Sequence, residues 1–352
     1  MLINNRIAFI KMGTFSHTNE SVLTVLKDRF PNYTIDIIDI WDDIVKITSF
    51  KNFFYAFLEY GLTMFISKKR ILACLVKNKY IFNKVKKDVN SKLKDKNYAF
   101  TFQTQSLFDT SIADTPNFMY TDHTYLVNKH YPTFDRNDLR YFENWIELEK
   151  TIYQNAQMNL TMSSNIKNSI IHDYNILEKK VECIYAGSNV LIDDNRNIST
   201  DKYKSKNILF VGINWERKGG PTLIKAFEIV LKKYPEATLT IVGCSPEVSI
   251  SNCTIIGKVP LSEVQQHYEK ASIFCLPTTL EPFGMVFIEA INNKLPLVAT
   301  KIGAIPDFIK EEKNGYMVEP GDYVNLANKL SILLKSSNKC EEFANYGYEN
   351  IL

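Results

Sequence analysis

Two glutamates eight positions apart, in Glu281-Pro-Phe-Gly-Met-Val-Phe-Ile-Glu289, bracket the start of a predicted helix. The run follows a short apolar stretch, Ile273–Leu276, that reads as a buried strand. That order puts the N–H groups of Phe283, Gly284 and Met285 at a helix N-terminus, where an anion is favoured. Gly284 removes the side chain at the point where a phosphate would approach. The two carboxylates can accept hydrogen bonds from sugar hydroxyls. Ordinary helix-end acids share this spacing, so the pattern gains weight only beside a second one.

The second one is Asn214-Trp-Glu-Arg-Lys-Gly-Gly-Pro221, which follows the apolar run ILFVG and leads into another helical pattern. Arg217 and Lys218 at a helix entry, beside two glycines, have the chemistry of a diphosphate clamp. A guanidinium binds two oxygens at once, and an ammonium adds a point charge. A solvated charge pair is the plainer alternative. The sequence contains no D-x-D triplet, and the pairs Asp42-Asp43 and Asp193-Asp194 fall in predicted loops. The expectation is therefore no metal and no cofactor, with positive side chains and helix N-termini neutralising a leaving group.

These motifs need elements that hold them. In the C-terminal half, apolar runs at Ile208–Val211, Thr238–Val242, Thr254–Ile256, Ile273–Leu276 and Leu297–Thr300 alternate with helical patterns, as in a parallel sheet covered on both faces. Pro221 to Tyr234 shows the period well, with Leu223, Ile224, Phe227, Val230 and Leu231 on one face. The N-terminal half repeats the theme at Arg6–Ile10, Thr34–Ile40, Tyr98–Phe102, Phe118–Tyr120, Asn159–Met162 and Val181–Tyr185. Between them, Gly187 to Asn207 is polar and weakly periodic. The 352 residues suit two domains of roughly 150–200 residues, 1–190 and 191–352, with the boundary near 190. Two doubly wound α/β domains would bind ligands at the carboxyl ends of their strands.

The composition, 45% hydrophobic and 23% charged, is that of a folded chain. A net charge of +3 argues against a general nucleic-acid binder. That small sum hides an asymmetry. Residues 46–96 hold thirteen Lys and Arg against three acids, a net +10, which leaves −7 elsewhere. On a helical wheel Ile71, Leu75, Phe82, Val85, Val89 and Leu93 share one face, opposite Lys77, Lys84, Lys87 and Lys94. A surface helix packing on its own core fits this pattern. So does a basic amphipathic surface on anionic lipid through residues 51–96, with the aromatic-rich SFKNFFYAFLEYGLTMF upstream either dipping into the interface or covering a sheet. The longest apolar stretch, Phe53 to Ile66, is 14 residues long and carries Glu59, too short for a span of about 20. Six scattered cysteines without a C-x-x-C pair suggest reduced thiols and a cytoplasmic location.

On the stretches ILFVGINWERKGGPTLIKAF, ATLTIVG, FCLPTTLEPFGMVFIEAINNKLPLVATKIGAIPDFI and NGYMVEPGD, the chain resembles the glycosyltransferases of the GT-B fold, specifically glycosyltransferase family 4. The resemblance implies two Rossmann-like domains facing each other across a cleft, the first binding acceptor and the second a nucleotide-sugar donor. It implies a retaining transfer of a hexose from a nucleotide-sugar (UDP-, GDP- or ADP-hexose) to an acceptor hydroxyl; a lipid or lipid-linked glycan acceptor fits the +10 segment, and a soluble sugar or polyol acceptor is the alternative. It places Glu281 on the transferred hexose, Glu289 on the ribose, Arg217 and Lys218 on the diphosphate, and the base near Lys258 and Val259. Many relatives have Arg where this chain has Ile213, and Arg217 can supply that charge. The family also ends with a helix crossing back to the first domain, which this sequence stops short of. In the first domain His123, after the strand ending at Tyr120, matches a histidine beside the transferred sugar. Lys129, His130 and Tyr131 are acceptor-side candidates, and Gly13 sits where the family's first glycine-bearing loop approaches the donor. A non-catalytic nucleotide-sugar binder on the same fold is the alternative.

Overall fold

The computed structural model describes residues 5–15, 18–94, 96–187 and 198–351. The Asp193-Asp194 pair and the boundary near 190 lie outside the described residues. The chain forms two compact units, one of Met1–Lys129 with Phe134–Asn189, the other of His130–Thr133 with Val190–Leu352.

The first unit is built on a six-stranded parallel sheet. Its strands are β1 (Arg6–Lys11), β2 (Thr34–Asp39), β3 (Phe100–Thr104), β4 (Asn117–Thr121), β5 (Met158–Thr161) and β6 (Val181–Cys183). Their order is β2-β1-β3-β4-β5-β6. All six expected strands are present. β3 begins two residues later than the sequence suggests, at Phe100; the Tyr98 hydroxyl donates to Asp36 at 2.7 Å. β6 ends early because Tyr185 takes a φ of +58°, outside the extended region.

The second unit repeats the architecture with β7 (Asn207–Val211), β8 (Thr238–Val242), β9 (Cys253–Gly257), β10 (Ile273–Leu276), β11 (Leu297–Thr300) and β12 (Gly315–Val318). The order is β12-β11-β10-β7-β8-β9, again parallel throughout. All four residues of both β10 and β11 are buried, which accounts for their unbroken apolar sequence. β12 comes from the Gly-Tyr-Met-Val of NGYMVEPGD, too short a run to announce a strand by itself.

Two sequence expectations need correction. The wheel over residues 71–94 treated one helix, but the chain forms two, Lys68–Val76 and Lys79–Leu93. Asn78 separates them: its side chain accepts from Ile81 N–H at 2.9 Å and starts the second helix. The apolar face of that helix (Ile81, Phe82, Val85, Val89, Leu93) is buried in the first unit's own core. Asp42 and Asp43 lie on a single wide helical turn, Ile40–Ile44, rather than in a loop. The Asp39 carboxylate caps that turn by accepting from Trp41 N–H at 3.0 Å.

Candidate functional site

In the second unit, β7 and β10 are neighbours although β8, β9 and two helices separate them in sequence. The chain leaves β7 towards β8 on one side, and leaves β10 towards β11 on the other. This is a topological switch point, and the two loops that diverge there are the ones carrying NWERKGG and PTTLEPFG. Their side chains meet. The Lys218 ammonium donates to the Glu281 carboxylate, with both residues buried. Burial holds the Lys218 pKa below its ordinary value, against the upward pull of the Glu281 charge. The loops also touch through the main chain. The Arg217 carbonyl accepts from Thr279 N–H at 2.9 Å and from the hydroxyls of Thr278 and Thr279 at 2.9 and 3.1 Å. The Arg217 guanidinium donates to the Leu280 carbonyl at 2.7 Å.

Gly219 makes that approach possible. Its φ is +77°, and a Cβ there would lie 1.7 Å from the Pro277 carbonyl oxygen. Gly284 precedes the helix Met285–Asn292 with a φ of +98°, and a Cβ would sit 2.7 Å from the Phe287 ring. That glycine is therefore required by its own backbone, beyond any room it leaves for a ligand. Phe283 is buried and Met285 half-buried. Within the helix, Glu289 accepts from the Tyr268 hydroxyl at 2.8 Å, and burial raises its pKa although that hydrogen bond pulls the other way. Ile213, which stands where an arginine was expected, is 73% exposed. Lys258 is exposed and Val259 half-buried. They follow β9, at the sheet edge and two strands away from β7. Tyr131 belongs to a segment of this unit, and its hydroxyl donates to the Glu281 carbonyl at 3.3 Å. His130 is exposed.

The remaining candidates lie in the first unit. Gly13 follows β1, with its N–H donating to Asp39 at 3.3 Å and its carbonyl accepting from Asn19 at 2.7 Å. Lys129 forms an ion pair with Asp173 at 2.5 Å. His123 follows β4 and lines a cavity of about 130 Å³ together with Lys77, Ser106, Tyr125, Trp145 and Glu149. The Lys77 ammonium sits 4.2 Å from the Tyr125 ring centre, and burial lowers its pKa to about 8. Burial raises the Glu149 carboxyl to about 6, although it accepts from the hydroxyls of Tyr174, Tyr153 and Ser106 and from Tyr125 N–H. Sequence reasoning placed Lys77 on a solvated face and passed over Glu149. Trp145, Glu149, Ile152 and Tyr153 recur with helical spacing, so an acid on an apolar stripe was the available signal.

The hydrogen bonds fix the imidazole of His123. Asn128 Nδ2 donates to the Tyr125 carbonyl at 2.8 Å, so it is the amide nitrogen that faces His123 Nε2 at 3.0 Å. Nε2 therefore accepts, and the proton of the neutral ring sits on Nδ1, a buried atom with no hydrogen-bond partner among the described residues. Burial, reinforced by the Lys77 charge, lowers the His123 pKa from 6.5 to about 4. The unfolded chain then binds more protons than the folded one between those values. His123 thus contributes stability that is lost as pH falls from 6.5 through 4, on the order of 2–3 kcal/mol. His123→Gln is expected to flatten the acid limb of a urea-unfolding series in that window. An unchanged slope would remove the assignment.

The family match falls on the second unit. Residues 192–350 fit the family model described as glycosyl transferases group 1. An uncharacterised glycosyltransferase of Haemophilus influenzae is 29% identical over 185 residues, 47% of this chain and 52% of that one. The chain thus spans about half the length of that relative. The fold extends further than the sequence likeness. Sucrose-phosphate synthase of Thermosynechococcus elongatus shares it over 99% of this chain and 94% of its own, at 16% identity and a TM-score of 0.68. Anabaena HepE, solved in complex with UDP and glucose, matches over 97% and 93% at 16% identity and a TM-score of 0.61. Two parallel six-stranded sheets in this arrangement are the GT-B fold. The glycosyltransferase family match itself covers residues 192–350, within the second unit.

Proposed function

We propose that the protein transfers a hexose from a nucleotide diphosphate sugar to an acceptor hydroxyl, with retention at the anomeric carbon and without a metal ion. The observation that carries this reading is the buried meeting of Lys218 and Glu281 at the switch point between β7 and β10. One Lys218 N–H is directed to Glu281, and an ammonium has three, so two remain for diphosphate oxygens. Glu281 keeps lone pairs for hexose hydroxyls, and Glu289 for the ribose. The Arg217 guanidinium, half-buried beside the same loop, adds charge to the clamp. HepE, of the same fold, was solved with UDP and glucose.

In the reaction the anomeric carbon–oxygen bond to the diphosphate breaks and a bond to the acceptor oxygen forms on the same face. The acceptor proton passes to the leaving phosphate oxygen. Lys218 and Arg217 stabilise charge as it develops there, the kind of preorganised electrostatics that dominates such steps. His123, in the first unit, is neutral at neutral pH and carries its ring proton on the buried Nδ1. The acceptor is a lipid or a lipid-linked glycan, a reading supported by the +10 charge of residues 46–96 in the first unit.

A thermal-shift panel of UDP, GDP and ADP and their hexoses tests the donor. A ligand at 100 times its Kd adds about 2.7 kcal/mol to stability. One nucleotide is expected to raise the melting midpoint, and its sugar to be consumed when acceptor is present. No shift with any of the three, together with no transfer, would overturn the reading. A shift without turnover would make the protein a binder.

A further inference from the structure

The helix Phe50–Tyr60 faces the opposite way from an ordinary surface helix. Its buried side chains are Asn52, Ala56 and Tyr60. Its exposed ones include Phe50 (84%), Phe54, Phe57 and Leu58 (62%), spaced i, i+4, i+7 and i+8, which is one apolar stripe turned to solvent. The next turn, Gly61–Ile66, continues the stripe with Leu62 (77%), Phe65 and Ile66 (73%), and the helix Lys68–Val76 adds Leu72. Nine of the twenty exposed large apolar side chains among the described residues fall between Phe50 and Leu72. Single exposed hydrophobics are normal; a contiguous set is an interaction surface.

The polar inner face locks this orientation. Asn52 Nδ2 donates to the carbonyls of Ile47 and Leu75 at 2.7 and 2.9 Å, and its Oδ1 accepts from Asn78 at 2.9 Å. The Tyr60 hydroxyl donates to the Lys77 carbonyl. Rolling the helix inward would bury phenylalanines and break these four hydrogen bonds. Phe53 and Phe57 lie 6.0 and 6.2 Å from the Phe65 ring, joining helix and turn into one face. Lys51, Lys68 and Lys69 are exposed around it and have no carboxylate partner among the described residues.

We propose that this surface docks the protein on an anionic lipid bilayer, with the Phe50–Leu72 side chains entering the headgroup–acyl boundary and Lys51, Lys68 and Lys69 meeting lipid phosphates. Aromatic and aliphatic groups ringed by lysines are the composition that such a boundary favours. A second copy of the chain is a poorer occupant, because a two-fold contact sets each patch of lysines against itself. The docking element is thus upstream of the basic helix Lys79–Leu93, whose own apolar face is already buried. The inference deepens the lipid-acceptor reading by locating the membrane contact, and its test does not depend on turnover.

Flotation with phosphatidylcholine vesicles, with and without about a third phosphatidylglycerol, reads the partition directly. Wild-type protein is expected to favour the anionic vesicles and to lose most of that preference on raising salt from about 0.05 to about 0.5 M. Phe54→Ser with Leu58→Ser removes apolar area and is expected to weaken partition at least about tenfold on both vesicle types. Lys68→Glu with Lys69→Glu is expected to weaken it about a hundredfold on anionic vesicles at low salt and little elsewhere. All four side chains are exposed, so both variants should keep the wild-type melting midpoint. No wild-type binding to anionic vesicles at low salt, or unchanged binding by the serine pair, overturns the proposal. So does a wild-type dimer in sedimentation that the serine pair dissolves. Vesicle binding without a lipid product overturns the acceptor reading and leaves the docking surface standing.

Discussion

Lys218→Ala is expected to lower kcat about 10²–10³-fold, the usual cost of deleting one preorganised donor that faces developing charge. The side chain sits where the loops after β7 and β10 meet, with its ammonium on Glu281 and both groups out of solvent. Truncating it also leaves a buried carboxylate without its counterion, which destabilises by about 3–5 kcal/mol. The two effects separate in a cycle. Lys218→Met combined with Glu281→Gln removes both charges and should recover much of the stability while turnover stays low. Adding Arg217→Ala to Lys218→Ala should deepen the kinetic loss, because the guanidinium is the other cation on the loop. Its main-chain carbonyl, held by Thr278 and Thr279, keeps the loop in place without the side chain. Urea unfolding measures the first quantity and steady-state kinetics with the matched donor the second. Near-wild-type turnover in the alanine variant would sink the clamp assignment.

Gly219→Ala should be the most damaging single-methyl change in the second unit. The added carbon meets the Pro277 carbonyl oxygen at 1.7 Å, and the φ of +77° is itself unfavourable for an L side chain. The only relief is to push the loop after β7 away from the end of β10, which pulls Lys218 from Glu281. A loss of at least about 3 kcal/mol is expected, with activity falling alongside. Gly321→Ala is the matched control. Its φ is +84°, but nothing lies within 4 Å of the new carbon, so it should cost only about 1 kcal/mol. Equal unfolding midpoints for the two variants would show that the close approach is not rigid.

Most of this fold was legible because parallel strands buried on both faces must be written in unbroken apolar residues, as Ile273–Leu276 and Leu297–Thr300 are. The pairing of E-x7-E with RKGG was legible for a related reason, since each motif sits at the end of such a strand. What sequence could not show was which strand ends are neighbours. The contact of Lys218 with Glu281 is a consequence of strand order, and local pattern carries no information about order. The Lys77–Glu149 cavity is hidden from periodicity because the apolar period runs on across the break between the helices Lys68–Val76 and Lys79–Leu93. Asn78 marks that break, and Lys77 then turns under Tyr125 and Trp145 rather than out to water. The stripe from Phe50 to Leu72 was ambiguous because periodicity locates an apolar face and says nothing about which way it points. Only the buried Asn52 settles that.

The seam between β7 and β10 also sets an order of assembly. Ile208 finds Ile273 only after the β8 and β9 segments have been made. A nascent or refolding second unit can pair β7 with β8 early through short-range contacts, but it cannot join its two site loops until β10 arrives. Loop closure over that distance is entropically slow. On the proposed function, nucleotide binding should therefore be a late event in refolding, appearing with the last phase of native signal. Added nucleotide should slow unfolding far more than it speeds folding, because the half-made sheet offers it nothing to hold.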